Sequence, residues 1–113
     1  MKLAWQFQTG DLRRPTDSSE TTYESTPLKI DDTLYTCSPH QIVYALDAAT
    51  GTLKWKFDPK SLSLPQFQHL TCRGVSYHET KADAVTTDGS PAPTDCAKRI
   101  IFPTADARML AID

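Results

Sequence analysis

Apolar residues occur along the chain in short runs, and turn-forming residues separate most of these runs. The runs are rich in β-branched and aromatic side chains and have the length of single strands. The run 53–57 alternates strictly, which indicates a half-exposed outer strand, whereas the run 42–46 is apolar on both faces and indicates a strand that is covered on both sides. Eight prolines spread along the chain disfavour long helices. The pattern therefore predicts an all-β, antiparallel protein.

Two parts of the chain resemble each other. Trp5-Gln6-Phe7 recurs as Trp55-Lys56-Phe57 at an offset of 50, and the segment 44–47 recurs as 110–113 at an offset of 66. The larger offset places extra residues in the second repeat, and the polar, proline-containing stretch 79–97 is the predicted insertion loop. A repeat of about 50 residues that contains several short strands is typical of a β-propeller blade. A small β-sandwich with chance matches is the alternative.

In the propeller interpretation, residues 1–113 form part of a propeller. We expect 3–8 to be the last strand of a preceding blade, 24–58 to be a complete blade and 73–113 to be part of the next one. The predicted strands of the complete blade lie near 25–30, 33–37, 41–47 and 53–58, and those of the next blade near 73–78, 99–103 and 108–113. The chain would then begin inside one blade and stop inside another.

Composition and charge exclude several classes of protein. With 39% hydrophobic and 23% charged residues, the chain is typical of a folded domain. No apolar run approaches the roughly 18 residues that a transmembrane helix needs. The net charge of -2 argues against nucleic acid as a partner. Three cysteines permit at most one internal disulfide, and their spacing fits no metal site.

The turn Asp47-Ala48-Ala49-Thr50-Gly51, followed by Trp55, resembles the tryptophan-docking motif of quinoprotein propellers. The segments 3–11, 23–28, 33–41, 66–79 and 95–101 resemble the first blades of the membrane-bound quinoprotein glucose dehydrogenases, most specifically in the stretch QHLTCRGVSYHE at 68–79. Related alcohol dehydrogenases carry adjacent cysteines before the corresponding Arg-Gly. Here Thr71 precedes Cys72, so that vicinal disulfide cannot form.

The resemblance implies the properties of a larger parent enzyme. Its eight-bladed propeller lies in the periplasm and is anchored to the inner membrane by helices that this chain does not contain. Such an enzyme oxidises glucose or another aldose to the lactone and passes the electrons to ubiquinone. It uses pyrroloquinoline quinone together with calcium or magnesium. No motif for the general base or the metal ligands occurs here, so we expect neither a catalytic residue nor a metal ligand in this segment.

Three residues match positions that the family uses for binding. The resemblance implies that Glu24 and Arg73 bind the cofactor, Glu24 as an acceptor and Arg73 as a fork of donors for carboxylates and quinone oxygens. It also implies that His40, in the turn between two strands of the complete blade, contacts the sugar. The alternative for each is an ordinary solvated side chain. We interpret His69, in a loop, and His78, on a strand, as structural.

The cysteines give a separate prediction. Cys72 and Cys96 bracket the insertion loop, and the ends of neighbouring antiparallel strands approach closely enough for a disulfide. A periplasmic location would allow the bond. We therefore expect a Cys72–Cys96 disulfide, with Cys37 reduced and buried in a strand.

Two other classes of function compete with the enzyme. One is a non-catalytic propeller scaffold for protein–protein interaction, which would need no cofactor groups at its centre. The other is a free-standing β domain that binds a protein through its edges. For the isolated 113-residue chain we expect no dehydrogenase activity, and we expect self-association through blade faces that neighbours would normally cover.

Overall fold

A computed structural model describes residues 1–18, 20–62, 68–81 and 83–113. Over these ranges the secondary structure is entirely β, as predicted, and no helix is long and apolar enough to cross a membrane. In chain order the strands are β1 Glu20–Thr21, β2 Leu28–Ile30, β3 Thr33–Cys37, β4 Val43–Asp47, β5 Leu53–Phe57, β6 His69–Leu70, β7 Ser76–Glu79, β8 Lys98–Pro103 and β9 Met109–Ile112.

The first large sheet is an antiparallel meander in the order β2-β3-β4-β5, within the range predicted for a complete blade. Strand β4 is the buried strand, as its apolar composition predicts, and Val43 and Ala45 are fully buried. Strand β5 is the outer strand. Its apolar face is less covered than its alternation suggests, because Leu53 and Phe57 stay exposed and only Trp55 is half-buried.

The second large sheet has the order β7-β8-β9 and is also antiparallel. Glu79 at the end of β7 pairs with Lys98 at the start of β8, so the described residues between them leave the sheet as an excursion. Within this excursion Val85 and Pro91 form an isolated bridge. The insertion predicted for 79–97 covers this part of the chain.

A narrow parallel ribbon joins the two sheets. Strand β1 pairs with β6, and the isolated parallel bridge between Thr26 and Gly74 continues the contact. This pairing could not be predicted from the sequence, because β1 and β6 contain two residues each and show no periodicity. Strand β1 precedes β2 in the chain, and β6 precedes β7. The pairing of β1 with β6 therefore brings the two large sheets together at this point.

Residues 3–8 do not form the predicted strand. A strand requires a ladder of backbone hydrogen bonds, and the part of the chain that the structure describes pairs no strand with this segment. The segment is instead held by its side chains. Trp5 Nε1 donates to the Ala48 carbonyl oxygen at 3.3 Å, and the ring of Phe7 meets that of Tyr44 edge-on with centroids 5.6 Å apart.

The disulfide prediction was wrong. The bond joins Cys37 to Cys72, whose Cα atoms lie 5.9 Å apart, and Cys96 is an exposed free cysteine. Cys37 is buried, as predicted, but it is not reduced. The physical reason is the ribbon, which carries Cys72 onto the end of β3, whereas Cys96 lies in a turn of the excursion.

The disulfide lies in the hydrophobic core between the two sheets. Its buried neighbours are Val43 from β4 and Ile100 and Phe102 from β8. The Phe102 ring also meets Phe57 edge-on at 6.3 Å, which links the outer strand of one sheet to the central strand of the other. The core therefore belongs to the junction of two sheets.

The molecule is a thin slab of 51 × 42 × 19 Å. Its radius of gyration is 16.5 Å, whereas a compact domain of this length has about 13 Å. Its accessible surface is 7732 Å², compared with about 6200 Å² for a compact monomer of this mass. Two sheets side by side leave broad faces uncovered, and this shape bears on the behaviour of the isolated chain.

Candidate functional site

The ribbon brings together the two residues predicted to bind a cofactor. Arg73 Nη2 lies 3.6 Å from Glu24 Oε2, although 49 positions separate them in the sequence. The side chains remain accessible, 84% for Arg73 and 46% for Glu24. The sequence could propose each residue only separately, and the fold places them as one charged pair at the edge where the two sheets meet.

The backbone beneath this pair is closely held. The Thr26 amide donates to the Arg73 carbonyl oxygen at 3.0 Å. Gly74 has a φ of 149°, and a β-carbon there would lie 3.1 Å from the Thr26 carbonyl oxygen. Glycine at position 74 therefore allows the backbone to pass close to the segment that contains Thr26. Because Cys72 is also bonded to Cys37, the backbone of Arg73 is fixed on both sides while its guanidinium stays free to bind.

A cavity of about 300 Å³ opens beside Arg73. Its wall combines the ribbon with the β8–β9 turn and is formed by Gln41, Thr71, Gly74, Thr104 and Ala105, among others. The hydroxyl oxygen of Thr71 is buried there and has no hydrogen-bond partner among the residues that the structure describes. An exposed guanidinium next to a concave surface is a suitable arrangement for a planar, anionic ligand.

His40 lies in a different environment from the one predicted. It is buried between two carboxylates, with Nδ1 2.7 Å from Asp11 and Nε2 3.1 Å from Asp17. Its backbone amide also donates to Asp11 at 3.0 Å. Both ring nitrogens are therefore occupied, and a sugar could reach the ring only if residues 11–17 moved. The predicted role in sugar binding stays a prediction.

The two carboxylates beside His40 are stabilised in their charged form. Burial opposes ionisation of Asp11, but hydrogen bonds and the charge interaction with His40 outweigh it, so the pKa of Asp11 is lowered. Burial likewise opposes ionisation of Asp17. The Arg14 amide, at 2.6 Å, and the ring of His40 outweigh that effect and lower the pKa of Asp17. The cluster fastens the segment 11–17 to the β3–β4 turn.

The other two histidines are exposed. His78 lies on β7, as predicted, whereas His69 lies in β6 and not in a loop. His69 Nδ1 is 3.5 Å from Glu20 Oε2 on the paired strand. This second charged pair occupies the same ribbon as Glu24 and Arg73. Sequence reasoning missed it, because only the parallel pairing brings the two residues together.

The charged pair fits part of a site for a quinone that carries carboxylates. Within the described part of the chain, Arg73 makes one long ion pair and retains further donors for an anion, and Glu24 offers an acceptor. The residues that the structure describes contain no group of three or more His, Cys, Asp or Glu side chains that could hold a metal ion.

Comparison with known proteins identifies the family of the chain. Residues 1–113 match the family described as the β-propeller domain of PQQ-dependent glucose, ethanol and alcohol dehydrogenases. The chain is 54% identical to the quinoprotein glucose dehydrogenase of Gluconobacter oxydans and 50% identical to that of Escherichia coli, in each case over 113 residues. It spans 14% of the length of each of these relatives.

A solved structure supports the fold. The quinohemoprotein alcohol dehydrogenase ADHIIG of Pseudomonas putida superimposes with a TM-score of 0.59 at 28% identity, over 99% of this chain and 13% of that one. The two antiparallel sheets are therefore part of a propeller, and the sandwich alternative is excluded. This chain belongs to the family of PQQ-dependent dehydrogenase β-propellers.

Proposed function

We propose that this chain is the segment of a PQQ-dependent glucose or aldose dehydrogenase that contributes Glu24 and Arg73 to the cofactor site. The enzyme would oxidise the sugar to its lactone and pass the electrons to ubiquinone. One observation carries the proposal: the parallel ribbon places an exposed guanidinium 3.6 Å from an exposed carboxylate, at the two positions that match the family's cofactor-binding pattern.

The chemistry of the two side chains suits this role. When bound, pyrroloquinoline quinone supplies the two-electron acceptor of the reaction. Arg73 can donate to a carboxylate or quinone oxygen and stabilise negative charge as electrons arrive. Glu24 can accept a hydrogen bond from the ligand, and its carboxylate lies 3.6 Å from the guanidinium of Arg73. The general base and the ligands of a calcium or magnesium ion would come from other parts of the enzyme.

A periplasmic location is consistent with the disulfide. The Cys37–Cys72 bond joins β3 to the segment between β6 and β7 in a buried core, and structural disulfides persist in oxidising compartments. We therefore place the propeller in the periplasm, attached to the inner membrane by segments outside this chain.

Trp5 supports a role in closing the ring of blades. Its ring lies against the turn that contains Gly51, and its Nε1 reaches Ala48. We propose that this contact is the docking interaction between neighbouring blades and that Trp55, at the equivalent repeat position, makes it with the following blade. Trp55 already lines a cavity together with Ile112 and Asp113, which correspond to Leu46 and Asp47 in the repeat.

The non-catalytic scaffold is less well supported. It would share the repeats but would not need a charged pair at the ribbon, and several quinoprotein glucose dehydrogenases are similar to this chain over its whole length.

The test is to titrate the full-length apoenzyme with pyrroloquinoline quinone. Arg73→Ala should weaken cofactor binding at least tenfold, since a charge-assisted hydrogen bond contributes about 1.5–3 kcal/mol. Glu24→Gln should weaken it less, because the amide keeps an acceptor. Arg13→Ala removes another exposed arginine, which is not part of either ribbon strand, and serves as the control. Equal affinity in Arg73→Ala and Arg13→Ala would overturn the proposal.

A further inference from the structure

Gln41 is a buried amide at the centre of the junction between the two sheets. Its side chain is almost completely inaccessible, with 1% of the residue exposed. Its φ is 59°, in the left-handed region that residues other than glycine and asparagine rarely adopt. A glutamine in this backbone conformation is unfavourable by itself, so its side-chain contacts must offset the cost.

Those contacts connect three segments of the chain. Nε2 donates to the Pro39 carbonyl oxygen at 2.5 Å and to the Thr71 carbonyl oxygen at 3.4 Å, and Oε1 accepts from the Ala105 amide at 3.3 Å. Pro39 belongs to the β3–β4 turn, Thr71 follows β6, and Ala105 lies in the β8–β9 turn. One side chain thus bonds to both sheets and to the ribbon.

Two of these contacts end in hydrogen-bonded turns. In the β8–β9 turn, the Thr104 amide donates to the Arg108 carbonyl oxygen at 2.8 Å, and the Arg108 guanidinium bonds to both carboxylate oxygens of Asp106. The backbone amide of Gln41 itself donates to Ser38 at 2.8 Å, which closes the β3–β4 turn. Through its hydrogen bonds Gln41 therefore connects both turns to Thr71.

Thr71 is two residues before Arg73, and the intervening Cys72 is bonded to Cys37. Among the residues that the structure describes, the Arg73 guanidinium pairs with Glu24 alone, at 3.6 Å, so the position of its backbone sets the region that the guanidinium can reach. That backbone is held by the disulfide of Cys72, by the bond from Thr26 and by the Gln41 bridge to Thr71.

We infer that Gln41 is a positioning residue for the cofactor site, acting through Thr71 to fix Arg73. The inference rests on the proposed cofactor role of Arg73. Gln41 lines the cavity beside Arg73, but it is buried and its amide is already bonded to Pro39, Thr71 and Ala105, so it has no polar group left to bind the ligand. It would determine the direction from which the exposed guanidinium approaches.

The experiment is a double-mutant cycle in the full-length apoenzyme, with pyrroloquinoline quinone as the titrant. Gln41→Met keeps the length of the side chain but removes all three hydrogen bonds. It should weaken cofactor binding about tenfold and leave the KM for glucose within about twofold. In Gln41→Met/Arg73→Ala the loss should equal that of Arg73→Ala alone, because two residues that act through one contact are not additive.

Two controls separate positioning from general destabilisation. Leu46→Ala removes a buried side chain in β4, beside the cavity under Trp5, and should lower the melting temperature without changing cofactor affinity. Hydrogen exchange of the Ala105 amide reports the lost bond directly and should accelerate in Gln41→Met. If Gln41→Met does not fold, Gln41→Glu is used in the same cycle, since it keeps the volume and the acceptor for Ala105.

The outcomes are distinct. Additive losses in the double variant, or unchanged affinity in Gln41→Met, would overturn the inference and leave the proposed function intact. Unchanged affinity in Arg73→Ala would overturn the proposed function and the inference together. A similar loss of affinity in Leu46→Ala would show that instability, and not the position of Arg73, causes the effect.

Discussion

Trp5 and Gly51 are in contact so closely that no β-carbon fits between them. A β-carbon built at Gly51 would lie 2.5 Å from Trp5 Cε3, and Gly51 has a φ of 73°. The turn around Gly51 is closed by Asp47, whose Oδ1 accepts from the amides of Ala49 and Thr50 at 3.0 and 2.8 Å. The ring of Trp5 therefore covers a turn whose shape is fixed by one aspartate and one glycine.

This relationship predicts the effect of Gly51→Ala. The substitution combines left-handed backbone strain of about 1–2 kcal/mol with a clash against an aromatic ring, so we expect a total loss of about 2–4 kcal/mol. Gly89→Ala is the matched control, because Gly89 has a φ of 84° and open space where its β-carbon would be. Thermal unfolding of the full-length protein measures both. Equal shifts in melting temperature would show that Trp5 contributes nothing.

A second prediction concerns the stability that the disulfide contributes. The Cys37–Cys72 bond spans 35 positions, for which chain entropy suggests a contribution of about 3–4 kcal/mol. Cys37→Ala and Cys72→Ala should each lower the melting temperature, and reducing agent should not lower it further. Cys96→Ala should have no effect, because Cys96 is free and exposed. Thiol labelling of the unreduced chain, followed by peptide mapping, should modify Cys96 alone; a labelled Cys37 would contradict this pairing.

The buried Asp17 predicts a dependence on acid. Its pKa lies below the ordinary value of 3.8, so the carboxylate stabilises the fold fully above that value and loses its contribution as the pH falls through and below it. Asp17→Asn should be less stable than the wild type at pH 7 by about 1–3 kcal/mol, and the difference should shrink towards pH 3. The measurement is the melting temperature between pH 7 and 3.

The exposed Asp83 provides the control for this experiment. Asp83→Asn removes a carboxylate in the excursion and should leave the pH profile unchanged. A constant difference between Asp17→Asn and the wild type at all pH values would mean that Asp17 acts through its shape and not through its charge.

Arg73 is proposed to bind the cofactor and His40 is predicted to contact the sugar, so substitutions at the two positions should have different kinetic effects. Arg73→Ala should weaken cofactor binding or slow the chemical step. If His40 contacts the sugar, His40→Ala should raise KM or shift the preference among sugars. If His40 only fastens residues 11–17, His40→Ala should lower the melting temperature and leave KM unchanged. The same cofactor-binding defect in both variants would contradict this assignment of separate roles.

The isolated 113-residue chain should be inactive and should self-associate. It contains two residues proposed to bind the cofactor, Glu24 and Arg73. We therefore expect a Kd for pyrroloquinoline quinone no lower than about 1 mM, which corresponds to a binding free energy of about 4 kcal/mol. Its slab shape leaves Leu53, Phe57 and Met109 exposed, and these apolar surfaces favour association. Sedimentation of a dilute sample and quinone titration test the two halves separately. A stable monomer would contradict the first and micromolar binding the second.

The elements with a strong local signal could be predicted from the sequence. The apolar run that forms β4 is covered on both sides, and the hairpins on either side of it lie where the turn residues indicate. The polar stretch after Glu79 is an excursion between paired strands. These features depend on neighbouring residues, and their periodicity is visible without knowledge of the tertiary structure.

The sequence by itself determined the strand content, the repeat and the identity of Glu24 and Arg73 as candidates, because residue type and motif carry that information. Only the tertiary structure decided which cysteines pair, that His40 lies between two buried carboxylates, and that Gln41 bridges three segments. The disulfide and the Gln41 bridge depend on a parallel ribbon of two-residue strands, and the His40 cluster depends on side chains far apart in the chain. Such contacts leave no periodic signal, because they arise from how two sheets approach each other and not from how either sheet forms.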